Sequence, residues 1–309
     1  MTTKPNTTRP RQIEEAKQTV QAVATNSWTT RLVRLGYAVK GVVYLIIGGL
    51  AAQLAVGHGG KATDQRGALQ TIAAQPFGKF LLIVVAIGLL GYALWSFIQA
   101  ALDPDRQGHD AKGMVARFGA AFVGVSYIGL AIGAFQLALG SGTAGNSSTT
   151  STQDWTASLL RLQPPLGVAI VVVIGLIVLG VAIALYMKAY KAQFQRHLNL
   201  TGVNAQLRKA AVFMGRFGYA ALGVVFTIIG IFLIVAALQD NPAKAKGLDT
   251  ALTELLHQPF GPVLLGIIAL GLIAYGVFSF VEARYRRVGK DEPFPGTARG
   301  GDQSRPPHS

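Results

Sequence analysis

The sequence contains no cysteine, which excludes disulfides, thiolate nucleophiles and cysteine-ligated metal centres while leaving the redox compartment open. Charge is scarce as well. Only 14% of the 309 residues are Asp, Glu, Lys or Arg, against about 25% in an ordinary soluble domain. Acids are the rarer kind, 14 against 28 Lys and Arg. The five histidines stand at 58, 109, 197, 257 and 308, never three or four apart, so no metal site is expected. No Ser–His–Asp pattern, nucleophile elbow or phosphate-cradling loop occurs. No cofactor is expected either, and the chain reads as non-enzymatic. The first 27 residues are polar and the first apolar run lacks a small-residue cleavage site, so that run is expected to stay as a membrane anchor.

What the sequence does have is long apolar runs. Six cover about 35–56, 79–100, 118–139, 166–187, 217–238 and 262–281. Each is long enough to cross ~30 Å of hydrocarbon at ~1.5 Å per residue. A soluble bundle would have to bury six helices without a polar face. The expected fold is therefore all-α and polytopic, with six transmembrane helices. Charge placement gives the orientation. Of the 28 Lys and Arg, 22 fall on the side of the N-terminus, leaving Lys61, Arg66, Lys79, Arg161, Lys244 and Lys246 on the other. Cytoplasmic loops hold the excess of Lys and Arg, so both termini are expected in the cytoplasm. The stretch 188–216 carries six cations and no acid. It is expected to attract anionic lipid headgroups rather than nucleic acid, for which no positioned reader is visible.

The apolar runs repeat. "RLGYAVKGVVYLIIGG" from Arg34 has near-copies in "RFGAAFVGVSYIGLAIGA" from Arg117 and "RFGYAALGVVFTIIGIFL" from Arg216. "ALQTIAAQPFG" from Ala68 matches "ALTELLHQPFG" from Ala251, with "ASLLRLQPPLG" from Ala157 as a looser copy. The repeating unit is a helix, an external segment, a second helix and a basic loop. It divides the chain into an N-terminal arm (1–30), three membrane hairpins (31–105, 114–196, 213–287) and a tail (288–309). Because each unit crosses twice, all three insert in the same direction, and a pseudo-threefold axis along the membrane normal is expected. Inverted repeats, the usual basis of alternating access, are not available to such a unit.

These three copies, together with "LLGYALW" and the "ALDPD" after the second helix, resemble a bacterial membrane-protein family of three tandem two-helix modules, domain of unknown function 1206. The resemblance covers about Arg31 to Arg287. It implies a multi-pass protein of the bacterial cytoplasmic membrane, and it brings no activity and no catalytic residues. Copy two departs most, with Ala120 and Val181 in place of tyrosines.

In each first helix, residues spaced three and four apart form one seam: Arg34, Tyr37, Gly41, Tyr44, Gly48 in copy one; Arg117, Ala120, Gly124, Tyr127, Ala131 in copy two; Arg216, Tyr219, Gly223, Phe226, Gly230 in copy three. Helices in lipid associate through close backbone approach over small residues, so the seam reads as helix packing, with a ligand groove as the alternative. Several polar residues are candidates for a polar path or lipid contact. Lys40 is expected to snorkel to the nearby interface. Glu282, Lys188 and Gln99 occupy equivalent positions near the inner face, where interfacial solvation or pairing across the axis would suit them. Tyr92 and Tyr275 fall at the depth of Tyr44 and Phe226 and need hydroxyl partners. Gln53 and Gln136, near the outer end, read as interhelical hydrogen-bond glue.

Each external segment is expected to hold a short helix on the outer interface, its Leu and Ile toward lipid. Asp249 and Asp154 are its expected N-caps in copies three and two, and Pro76, Pro164 and Pro259 its stops. A surface helix over 13–23, with Trp28 anchoring at the headgroups, is also expected. The function expected is that of a structural, lipid-binding or partner-binding membrane component, the partner unnamed by the sequence. The alternative is a small-solute or ion conduit along the axis past Tyr44, Tyr127 and Gln53. A hydrated axial cavity would favour the conduit and a dry centre the structural role.

Overall fold

A computed structural model describes residues 26–102, 111–140, 148–162, 165–192, 194–195, 198–199 and 203–286. The helix expected over 13–23, Pro164 and the tail 288–309 lie outside these. Among the described residues nine α-helices follow in chain order: α1 (Ser27–Ala55), α2 (Gln65–Ala73), α3 (Gly78–Leu102), α4 (Ala111–Ala138), α5 (Ser148–Leu160), α6 (Leu166–Lys191), α7 (Ala205–Leu238), α8 (Leu248–Leu256) and α9 (Gly261–Tyr285). A 3-10 turn over Pro242–Lys244 precedes α8. Six of the nine, α1, α3, α4, α6, α7 and α9, are long and apolar enough to cross a membrane. The protein is an all-helical, multi-pass membrane protein. The starts of α1, α4 and α7 share what we term the basic face; the short helices α2, α5 and α8 lie at the distal face.

Local chemistry sets the helix ends. Asn26 caps α1 by accepting from Trp28 N at 3.0 Å, and Asn204 caps α7 by accepting from Gln206 N at 3.0 Å. Asp64 caps α2 through Gly67 N at 2.8 Å. Two expected caps are corrected. Asp249 lies in the first turn of α8, whose cap position is Gly247, and Asp154 lies inside α5. The second repeat supplies the missing cap: the Gly247 amide donates to Thr149 Oγ1 at 2.8 Å, and that hydroxyl donates to Asp249 at 2.5 Å. The Gln-Pro-Phe-Gly turns that end α2 and α8 place Phe77 and Phe260 in the left-handed region, at φ 61° and 59°. The glycine that follows leaves no room for a side chain. A Cβ on Gly78 would lie 2.3 Å from Ala73 O, and one on Gly261 1.9 Å from Leu256 O.

Two of the three short helices, α2 and α8, turn their apolar sides inward, contrary to the expectation that they face lipid, while Trp155 of α5 stays exposed. Ala68, Leu69 and Ile72 of α2 and Leu248, Ala251, Leu252 and Leu255 of α8 are buried. Each lies over the distal end of its own hairpin, so burial against neighbouring helices replaces burial in lipid. Hydrogen bonds tie the distal segments together, with Arg66 Nη1 donating to Ser151 Oγ at 2.7 Å and Gln153 Nε2 to Ala243 O at 3.0 Å.

Each repeat's second helix packs on the first helix of the next: α3 on α4, α6 on α7, and α9 back on α1. Within repeats, α1 packs on α3 and α7 on α9, but α4 and α6 have no comparable contact. The six long helices thus form an arc in the order α4, α3, α1, α9, α7, α6. Direct helix contacts do not close the expected threefold ring.

Candidate functional site: a buried charge cluster between the first and last repeats

The three junctions between repeats share one design. A Cβ on Gly41 would lie 2.8 Å from Phe280, one on Gly124 2.9 Å from Phe97, and one on Gly223 2.6 Å from Tyr186. Those rings occupy equivalent positions in the preceding repeat, so each seam glycine seats the same aromatic. Gly48 and Gly230 likewise bring α1 against Ala269 and Ile273 of α9, and α7 against Gly175 and Leu179 of α6. One turn along, Tyr44 meets Tyr275 edge-on at 4.8 Å, and its equivalent Tyr127 meets Tyr92 at 4.5 Å. Phe226, the third equivalent, is half-buried. The seam arginines close the C-termini of the preceding helices. Arg117 donates to Ala100 O at 2.7 Å and Ala101 O at 2.9 Å, and Arg216 to Ala189 O at 3.0 Å. Such charge-assisted bonds satisfy carbonyls that a helix end leaves open. Arg34 departs from this pattern: its Nε is buried without a hydrogen-bond partner.

The α9–α1 junction carries a further feature that the other two lack. Lys40 is 5% exposed and Glu282 2%, and Lys40 Nζ lies 3.9 Å from Glu282 Oε2. Arg286 Nη1 lies 3.3 Å from Glu282 Oε1. The positions equivalent to Lys40 are Val123 and Leu222; those equivalent to Glu282 are Gln99 and Lys188. Only where the last repeat meets the first can this pair form. Lys40 therefore does not snorkel, and Glu282 is not solvated at the interface. Each finds its counter-charge on the helix opposite.

Tyrosines surround the ammonium. Lys40 Nζ lies 4.6 Å from the Tyr275 ring centroid, 5.0 Å from Tyr92 and 5.6 Å from Tyr37, and it donates to Tyr92 Oη at 3.4 Å. Arg286 stands 5.2 Å from Tyr37 and 5.5 Å from Trp95. Desolvated cation–ring contacts contribute up to about 2 kcal/mol each. Without this supply of π-faces and the carboxylate, an ammonium at this depth would cost several kcal/mol. Distal to Lys40, a void of about 10 Å³ is bordered by Lys40, Tyr44, Gln65 and Tyr127. It is about large enough for one water, and polar groups border it. Gln65 Nε2 donates to Tyr44 Oη at 3.4 Å from the distal side. Polar side chains thus succeed one another from Arg286 at the basic face to Gln65 at the distal face.

Other sequence candidates lie elsewhere. Gln53 and Gln136 are exposed. Lys188 is exposed, with its ammonium 5.9 Å from the Tyr219 ring. Three members of the cluster escaped the sequence reading. Arg286 could have been found from its i,i+4 spacing to Glu282, whereas Gln65 and Trp95 carry no such local signal.

Comparison with known proteins agrees with the repeated architecture. The family model described as Domain of Unknown Function (DUF1206) matches three successive stretches, 35–103, 118–192 and 217–286. The chain belongs to this family. It is 35% identical over 264 residues to the uncharacterized protein YxxB of Bacillus subtilis (strain 168), covering 85% of this chain and 94% of that relative. No solved structure matches. In this DUF1206 member, the Lys40–Glu282 contact joins the first family unit to the third.

Proposed function

We propose that this DUF1206 protein is a non-catalytic component of the bacterial cytoplasmic membrane. Both termini lie in the cytoplasm, and the basic face binds anionic lipid headgroups and can present itself to a protein partner. The supporting observation is the packing of the junctions between repeats. The junctions are filled by rings seated on glycines, and the void beside Lys40 has room for about one water. A solute would find no path of its own width there. Reporter fusions after residues 60, 150 and 245 test the orientation, and activity of a cytoplasm-only reporter at any of them contradicts it. Lipid extraction from the purified protein tests the rest, with enrichment of anionic over zwitterionic lipid expected.

One observation favours a second reading, an ion conduit. The succession Arg286, Glu282, Lys40, Tyr92, Tyr44, Gln65 runs through the α9–α1 junction, away from Gln53 and Gln136. Intramembrane ionisable residues are functional suspects. Ion flux into vesicles holding the purified protein, abolished by Lys40→Met at unchanged protein content, would establish this reading over the first.

A further inference from the structure

Between the last turns of α6 and the first turns of α7 lies a groove of about 1060 Å³. We propose that it is a binding site for one anionic diacyl phospholipid, an inference that deepens the lipid-binding reading above by naming the place and the ligand class. Four observations carry it.

The first is the mixed chemistry of the groove. Arg208 and Lys209 stand at its basic-face end, Phe213, Arg216 and Phe217 follow along α7, and Tyr186 and Tyr190 line the opposite wall. The cations suit a headgroup phosphate, and the rings beside them suit the glycerol and the acyl chains. The second is reach. α7 has 34 residues, about 51 Å of helix against ~30 Å of hydrocarbon, so its first turns extend to headgroup level. Lys209 and Arg216, two turns apart, lie on one side of it. Arg216 uses Nε on Ala189 O and keeps the rest of its fork for a phosphate.

Exposure is the third. Tyr190 is 78% and Phe213 68% exposed, an apolar surface that helix packing leaves uncovered. The fourth is that the site stands outside the repeated framework. The positions equivalent to Arg208, Lys209, Phe213 and Tyr190 are His109, Asp110, Met114 and Ala101 where the first repeat passes into the second, and Asn26, Ser27, Arg31 and Arg284 across the first and third. Nothing in the shared packing requires two cations and two rings here. The stretch 188–216 also contains no acid to neutralise them. A soluble anion would use the cations and leave the rings idle; a lipid uses both.

The test uses the full-length protein in nanodiscs and a fluorescent phosphatidylglycerol as probe, with phosphatidylcholine as the zwitterionic control. The double variant Arg208→Gln/Lys209→Gln is expected to weaken phosphatidylglycerol binding roughly 30-fold, the effect of two headgroup charges, and to leave phosphatidylcholine unchanged. Phe213→Ser is expected to weaken it several-fold. Arg31→Gln, on the same face outside the groove, is expected to leave it unaltered. Equal binding by wild type and double variant overturns the proposal. Competition by water-soluble glycerol phosphate at the same concentration as the lipid overturns it in favour of a free-anion site. Loss of phosphatidylglycerol preference in wild type overturns it outright. Reporter fusions that reverse the orientation would instead defeat the reading above, since binding in nanodiscs does not depend on sidedness.

Discussion

In the first and third repeats the two long helices meet at a glycine; in the second the equivalent glycine meets nothing. A Cβ on Gly36 would lie 2.6 Å from Tyr92 N, and one on Gly218 2.6 Å from Tyr275 Cβ, whereas one on the equivalent Gly119 would find nothing within 4 Å. The difference traces to two side chains. Tyr37 meets Tyr92 edge-on at 5.1 Å, and Tyr219 meets Tyr275 at 5.3 Å. The second repeat has Ala120 and Val181 at those positions, and without the ring pair its hairpin splays. Its two long helices are 17% buried over their most apolar windows, against 44–56% for the other four. A small residue permits close approach, but an aromatic partner must exist to use it.

Substitutions can break this comparison, beginning with the charge cluster that joins the two tight repeats. Glu282→Gln leaves Lys40 and Arg286 buried together without their carboxylate, and a loss of about 3–5 kcal/mol is expected. Lys40→Met should cost clearly less, because Glu282 keeps Arg286. Thermal unfolding of the purified variants in one detergent measures both; equal losses would mean the carboxylate does not serve two cations. Next in size, Gly36→Val and Gly218→Val force the hairpin helices apart, with an expected loss of about 1–3 kcal/mol each. Gly119→Val should stay within about 0.5 kcal/mol. If the same assay shows Gly119→Val as damaging as Gly36→Val, the second hairpin is not splayed in the membrane.

A smaller effect separates the seam arginines. Arg117→Lys gives up a two-pronged bond to the carbonyls of α3, for about 1–2 kcal/mol. Arg34→Lys should cost less, since its Nε has no partner. Smallest of all, the double substitution Ala120→Tyr/Val181→Tyr restores the ring pair to the second repeat. Cysteines introduced at Gly119 and Ile177, the equivalents of the close pair Gly36 and Gly88, in a chain that has none, should crosslink faster with the two tyrosines than without them. An unchanged rate would show that two rings do not suffice to close a hairpin.

How much of this could be read from the chain alone depended on distance along it. The six crossings and the threefold repeat follow from apolar length and from "RLGYAVKGVVYLIIGG" and its copies, which are local patterns. So does the seating of rings on glycines, since a three-four spacing already puts Gly41 and Tyr44 on one side of a helix. What was misread needed a neighbour. Lys40 looked free to snorkel because nothing nearby in sequence opposes it; its partner is on the final helix. The helices α2 and α8 looked lipid-facing because amphipathicity tells that one side is buried, not against what.

The Lys40–Glu282 contact also has a consequence in time. Glu282 is made 242 residues after Lys40, which at about 5–20 residues per second takes about 12–50 s. Throughout that interval the growing polypeptide holds an ammonium whose match does not yet exist. Synthesis that stops before the ninth helix therefore leaves the first one with an orphan cation. A cell that inspects its membrane for such orphans would have a ready mark by which to recognise, and destroy, an unfinished copy.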